Sequence, residues 1–123
     1  MYRILVVDDE AKIRLLIRKY AEFEGHEVTE AENGMEAVRL FRRTPDAFDI
    51  VIMDVMMPVM DGLEATKAIR MLEREDAKKI PIIAMTANAF AEDVQLAKNT
   101  GMNEHIAKPL DLNKLNDVLK QWL

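Results

Sequence analysis

Ile4-Leu5-Val6-Val7-Asp8-Asp9 is the stretch whose reading decides the fold. Four apolar residues in a row, rich in β-branched types, read as a strand buried on both faces. The run ends abruptly in two carboxylates. The pattern then recurs. Ile50-Val51-Ile52-Met53 ends in Asp54, Ile80-Pro81-Ile82-Ile83-Ala84-Met85 ends in Thr86, and Glu104-His105-Ile106-Ala107 ends in Lys108-Pro109. If these runs are parallel strands, their polar ends gather along one edge of one sheet.

The intervening segments have helical character. Ile13, Leu16, Ile17 and Tyr20 form a helical stripe from about Ala11 to Glu24, with Gly25 as its stop. Glu27 to Ala31 alternates and is less apolar, as an edge strand would be. A second helix is expected from about Met35 to Arg43, burying Val38 and Phe41. A third follows Asp61-Gly62, with Ala65, Ile69 and Leu72 inward. A fourth is expected from about Phe90 to Asn99. A fifth, capped by Asp111, carries Leu112, Leu115, Leu119 and Trp122 along one side.

Strands alternating with helices imply βαβ units and a parallel sheet. Right-handed crossovers leave few topologies. The weak second strand belongs at an edge, and the first and third strands belong at the centre. The expected fold is therefore α/β: a doubly wound five-stranded parallel sheet, order 2-1-3-4-5, with helices on both faces. Such sheets bind ligands beyond the carboxyl ends of the strands, where the winding reverses. Asp8, Asp9 and Asp54 lie at that point.

The whole sequence, residues 1–123, reads as one domain, with 50% apolar and 32% charged residues. No apolar stretch approaches the ~20 residues of a membrane span, and no secretory signal opens the chain. Cysteine is absent, which fits a reducing, cytoplasmic setting. The net charge of −5 comes without a basic stripe, so direct nucleic-acid binding is not expected. Arg14, Arg18 and Lys19, and Arg39, Arg42 and Arg43, read as solvated helix faces.

Three carboxylates and one ammonium at the sheet edge leave two uncompensated negative charges, which call for a cation. Oxygen-rich sites without thiolates suit Mg²⁺. A carboxylate beside it can attack phosphorus and form an aspartyl phosphate. Lys108 would meet the phosphoryl oxygens as a point charge, and Thr86 would bond another. Each residue also has a plainer use. Asp8 or Asp9 could cap a helix, Asp54 could belong to a turn, Thr86 could end a strand, and Lys108 could face solvent. Their joint placement favours the site.

The chain resembles the receiver domain of two-component response regulators over essentially its whole length. The matching segments are Val6-Val7-Asp8-Asp9-Glu10, Met53-Asp54-Val55-Met56-Met57-Pro58 with Asp61-Gly62, Ala84-Met85-Thr86-Ala87, and Ile106-Ala107-Lys108-Pro109. The resemblance implies that Asp54 is the phosphoryl acceptor. It implies Asp9 and Asp54 as carboxylate ligands of Mg²⁺, the Met56 carbonyl as a further ligand, and Asp8 as a support acting through water. Thr86 becomes the switch hydroxyl, Lys108 the phosphate-binding ammonium, and the Lys108-Pro109 bond cis. The implied donor is a histidine kinase or phosphotransfer domain. The implied output is a changed affinity for an unnamed downstream protein through the fourth helix, fifth strand and fifth helix. Phosphorylation-dependent dimerisation through that face stays open.

His105 departs from the family pattern, which has Tyr or Phe three residues before the lysine. It is either an exposed strand-end residue or a smaller, titratable switch rotor. His105→Tyr is then expected to change partner binding and to leave phosphorylation intact. Met56 and Asn88 border the path of a hydrolytic water, and apolar Met56 predicts a phosphoryl lifetime of minutes or longer. Met56, Met57 and Met60 either fill core or dock the kinase. The residues through Asp49 resemble receivers with DNA-binding outputs. Those from Ile80 onward resemble receivers of hybrid kinases, suggesting an excised or recombined receiver.

Three rival readings are weaker. A purely protein-binding receiver needs neither Asp54 nor Lys108. A flavin carrier wants a Ser/Thr/Gly loop after the first strand, where Asp8-Asp9-Glu10 would repel phosphate. A dehalogenase-like phosphatase wants a second Asp where Met56 stands.

Overall fold

The computed structural model describes residues 1–87 and 91–123, with only the backbone described for 91–93. Asn88 and Phe90, both named above, lie outside these residues. Among the described residues, five strands are interleaved with six helices: β1 Arg3–Val7, α1 Ala11–Phe23, β2 Glu27–Ala31, α2 Gly34–Arg43, β3 Ile50–Asp54, α3 Gly62–Arg70, α4 Glu75–Lys79, β4 Ile82–Thr86, α5 Ala91–Thr100, β5 Glu104–Ala107 and α6 Leu112–Trp122. All pairings are parallel, in the order β2-β1-β3-β4-β5. The expected doubly wound sheet is the one observed.

Period-two alternation distributes the core. Leu5, Val7, Val51, Met53, Ile82 and Ala84 pack on one face with Ala37, Phe41, Ala65, Ile69 and Ala97. Ile4, Val6, Ile50, Ile52, Ile83 and Met85 pack on the other with Ile17, Ala21, Leu115 and Leu119. Thus α1 and α6 cover one face and α2, α3 and α5 the other. Each such Ile or Leu, fully buried, stabilises the fold by ~1.5–3 kcal/mol.

Local signals mark the helix ends. The Asn33 side chain accepts from the Glu36 N–H at 2.9 Å, and Asp61 and Glu64 form a capping box. Asp111 caps α6 through the Asn113 N–H. Gly25 follows α1 at φ +87°, a conformation that favours glycine.

Three expectations differ from the structure. The short helix α4 was not anticipated. Its charged residues offer no stripe, and Ala77 alone is buried. Leu16 and Leu112 lie outward, at 39% and 37% exposure, while Ala21 and Val118 take inward places. Finally, β3 and β4 each run one residue further, so Asp54 and Thr86 are themselves strand residues. Among the described residues, no helix is long and apolar enough to cross a membrane.

Candidate active site

The carboxyl ends of β1, β3, β4 and β5 carry the polar groups, as the sequence predicts. Asp8 is wholly buried just beyond β1, and its Oδ1 accepts the Glu10 N–H at 2.8 Å, bending the chain into α1. The plainer reading, that Asp8 or Asp9 caps the helix, does not hold: Glu10 is the N-cap residue of α1 and no side chain caps it. Asp9 is exposed beside it. Asp54 is 4% exposed, and its Oδ1 accepts the Met56 N–H at 3.2 Å. Ligand-capable oxygens of Asp8, Asp9 and Asp54 lie within 4.8 Å of one another.

Lys108 closes the cluster. Its backbone N–H donates to the Thr86 carbonyl at 2.8 Å, which ties it to the end of β4. Its ammonium lies 3.2 Å from Asp54 Oδ2, 3.0 Å from Asp8 Oδ2 and 3.7 Å from Glu10 Oε1. The Lys108–Pro109 bond is cis, as the resemblance implied.

The electrostatics follow from one cation shared among several anions. Burial first, and the neighbouring Asp8 charge second, hold Asp54 above the usual carboxylate range despite Lys108. Burial likewise raises Asp8. Burial also opposes the Lys108 charge, but Asp8 and Asp54 outweigh it and hold the ammonium above its ordinary value. The lysine is thus fully served while its two carboxylates are not.

Two buried oxygens sharpen this picture. Among the described residues, Asp8 Oδ2 has only the Lys108 ion pair at 3.0 Å, and Thr86 Oγ1 has no hydrogen-bond partner. Buried polar atoms are seldom left so. A water held by a hard cation would give the first a further donor. A hydrogen-bond acceptor such as a phosphoryl oxygen would satisfy the second. The residues present therefore fit Mg²⁺. Some clefts among the described residues lie away from the cluster. One of about 490 Å³, lined by His26, Val28, Leu40 and Phe48 among others, lies along β2.

Glycine shapes the loop after Asp54. The Gly62 N–H donates to the Val55 carbonyl at 3.0 Å, and a Cβ on Gly62 would collide with the Asp54 carbonyl oxygen. Beyond this clasp, Met56 and Val59 are exposed and Met57 is buried. Met57 therefore fills core while Met56 does not. His105 is partly buried on β5, its Nδ1 3.8 Å from Glu104 Oε1.

Sequence reasoning overlooked two groups. Glu10 joins the acidic rim, and its place directly after Asp9 was the available clue. Arg14 and Arg18 are not merely solvated. Both donate to Glu30, at 2.9 and 2.7 Å, and Arg14 also reaches the Asp8 carbonyl at 2.7 Å.

This chain belongs to the response regulator receiver domain family, whose model it matches over residues 4–120. It is 40% identical over 121 residues to the sensor protein GacS of Pseudomonas syringae pv. syringae, covering 98% of this chain and 13% of that protein. The solved receiver domain of the sensor histidine kinase PA1611 from Pseudomonas aeruginosa is 36% identical, with a TM-score of 0.86, covering 98% of this chain and 96% of that one. It holds a magnesium ion in its active-site cleft. In a co-crystal of Saccharomyces cerevisiae Ypd1, a histidine phosphotransfer protein, with the receiver domain of Ssk1, the matched chain is 26% identical. Its TM-score is 0.89, over 98% of this chain and 88% of that one. The protein is thus a receiver domain of two-component phosphorelay signalling.

Proposed function

We propose that Asp54 accepts a phosphoryl group from a phosphohistidine of a histidine kinase or phosphotransfer protein, and that the modified domain changes its affinity for a downstream partner. The observation that carries this is the setting of Asp54. It is buried, anchored through one oxygen by the Met56 N–H, and paired at 3.2 Å with Lys108. In the transfer, an Asp54 oxygen forms the new bond to phosphorus as the bond from phosphorus to imidazole nitrogen breaks. The imidazole leaves and takes up a proton. Lys108 then meets the phosphoryl oxygens, and the unpartnered Thr86 hydroxyl donates to one of them.

Asp9, Asp54 and the Met56 carbonyl would hold Mg²⁺, with Asp8 supporting through water. When bound, the ion supplies the charge neutralisation that lets phosphate approach carboxylates. The magnesium-bound PA1611 receiver and the Ypd1–Ssk1 complex support the ion and the donor class respectively. Movement of Thr86 toward the phosphoryl group would draw His105 after it and reshape the α5–β5–α6 face. This is the face expected above, its helices renumbered by the presence of α4. Such a shift selects between pre-existing states.

Intact-mass measurement after treatment with a small acyl phosphate and Mg²⁺ tests the proposal. The expected gain is about 80 Da, one phosphoryl group. Asp54→Asn should show none, nor should wild type in EDTA. An equal gain in Asp54→Asn would overturn the assignment.

A further inference from the structure

We infer that Arg14 is a positioning residue for the acidic pocket, holding the Asp8–Asp9 turn in the shape that receives a divalent cation. The inference rests on the metal reading proposed above. Arg14 lies in the first turn of α1, with a side chain only 11% exposed. Its Nη1 donates to the Asp8 carbonyl at 2.7 Å while its Nε donates to Glu30 Oε1 at 2.9 Å. Glu30 sits on β2, opposite Val6 of β1. Its second oxygen takes the Arg18 Nε at 2.7 Å.

The Asp8 segment is therefore gripped at three points. Its N–H donates to the Ala31 carbonyl at 3.2 Å, its side chain accepts the Glu10 N–H, and its carbonyl is held by Arg14. That carbonyl belongs to the peptide joining Asp8 to Asp9. Fixing it fixes the direction in which exposed Asp9 leaves the sheet edge, and so where its carboxylate sits relative to Asp54. Only a planar guanidinium offers two donors at the fixed spacing needed to bridge a backbone carbonyl and a carboxylate. Lysine keeps the charge but loses the bridge.

Arg18 provides the internal contrast. It shares Glu30 with Arg14 but, among the described residues, makes no bond to the Asp8 carbonyl, a difference that a purely structural role for the network would treat as immaterial. The test measures the Mg²⁺ dissociation constant by calorimetry for wild type, Arg14→Gln, Arg14→Lys and Arg18→Gln, with melting in EDTA recorded alongside. Arg14→Gln should bind Mg²⁺ about tenfold more weakly or worse, the usual cost of losing a group that orients a ligand. Arg14→Lys should recover little of this, and Arg18→Gln should bind as wild type even where its melting temperature falls. If Arg14→Gln does not fold, the milder Arg14→Lys carries the same test. Wild-type affinity in the Arg14 variants, or equal weakening in Arg18→Gln, overturns this inference alone. A wild-type chain that takes up no Mg²⁺ overturns the metal reading and this inference with it.

Discussion

The two ends of β3 differ sharply in what they do for the protein. At its start, Ile50, Val51 and Ile52 are wholly buried, and their backbone bonds run into β1 and β4. At its end, Asp54 is buried as well, but beside a second carboxylate and a shared ammonium. The same strand thus carries stabilising apolar burial at one end and an electrostatic cost at the other. The sheet interior holds the fold and tolerates the strained edge, where the chemistry lies.

Breaking the apolar end should have the largest effect on stability. Ile52→Ala is expected to cost about 2–5 kcal/mol in chemical denaturation. Relieving the charged end should act in the opposite direction. Asp54 is held above the usual carboxylate range, so its charge at neutral pH opposes folding. Asp54→Asn in metal-free buffer should therefore melt higher than wild type at pH 7. A lower melting temperature would show that the Lys108 contact outweighs burial.

A finer comparison sets Met56 against the anchored residues around it. Its thioether is exposed and cannot orient a hydrolytic water, so the phosphorylated domain should persist for minutes or longer. Decay within seconds, followed by mass or by loss of radiolabel, would contradict this. The smallest effect concerns Glu30, away from the acid cluster. Burial opposes its charge, yet Arg14 and Arg18 outweigh this and hold it below its usual value of 4.5. Its contribution, small at a partly exposed site, is present above that value and is lost as pH falls through the depressed one. Glu30→Gln should therefore show a shallower drop in melting temperature between neutral and strongly acidic buffer.

Much of this architecture was legible because burial on both faces leaves a short continuous run of β-branched residues, and such runs alternating with helical segments point to central parallel strands. Asp8, Asp54 and Thr86 were legible for the same reason, as the first polar residues after those runs, whereas Lys108 follows the mixed edge strand β5 and was legible through the Lys108-Pro109 motif. Helix α4 was not, since a helix with one buried alanine leaves no periodic trace. Leu16 and Leu112 misled because helical spacing gives a stripe without fixing its edges. The Arg14–Glu30 bridge was hidden because it joins residues 16 apart through a strand register that only the folded sheet supplies.

The closure at Gly62 has a corollary for substitution. With the Val55 carbonyl and Gly62 N–H joined and no room for a side chain at that glycine, the exposed side chains of Met56 and Val59 hang from a fixed mount while Met57 stays in the core. Substitutions at those two side chains should change what the loop presents to water and to other molecules while the backbone that seats Asp54 stays in place.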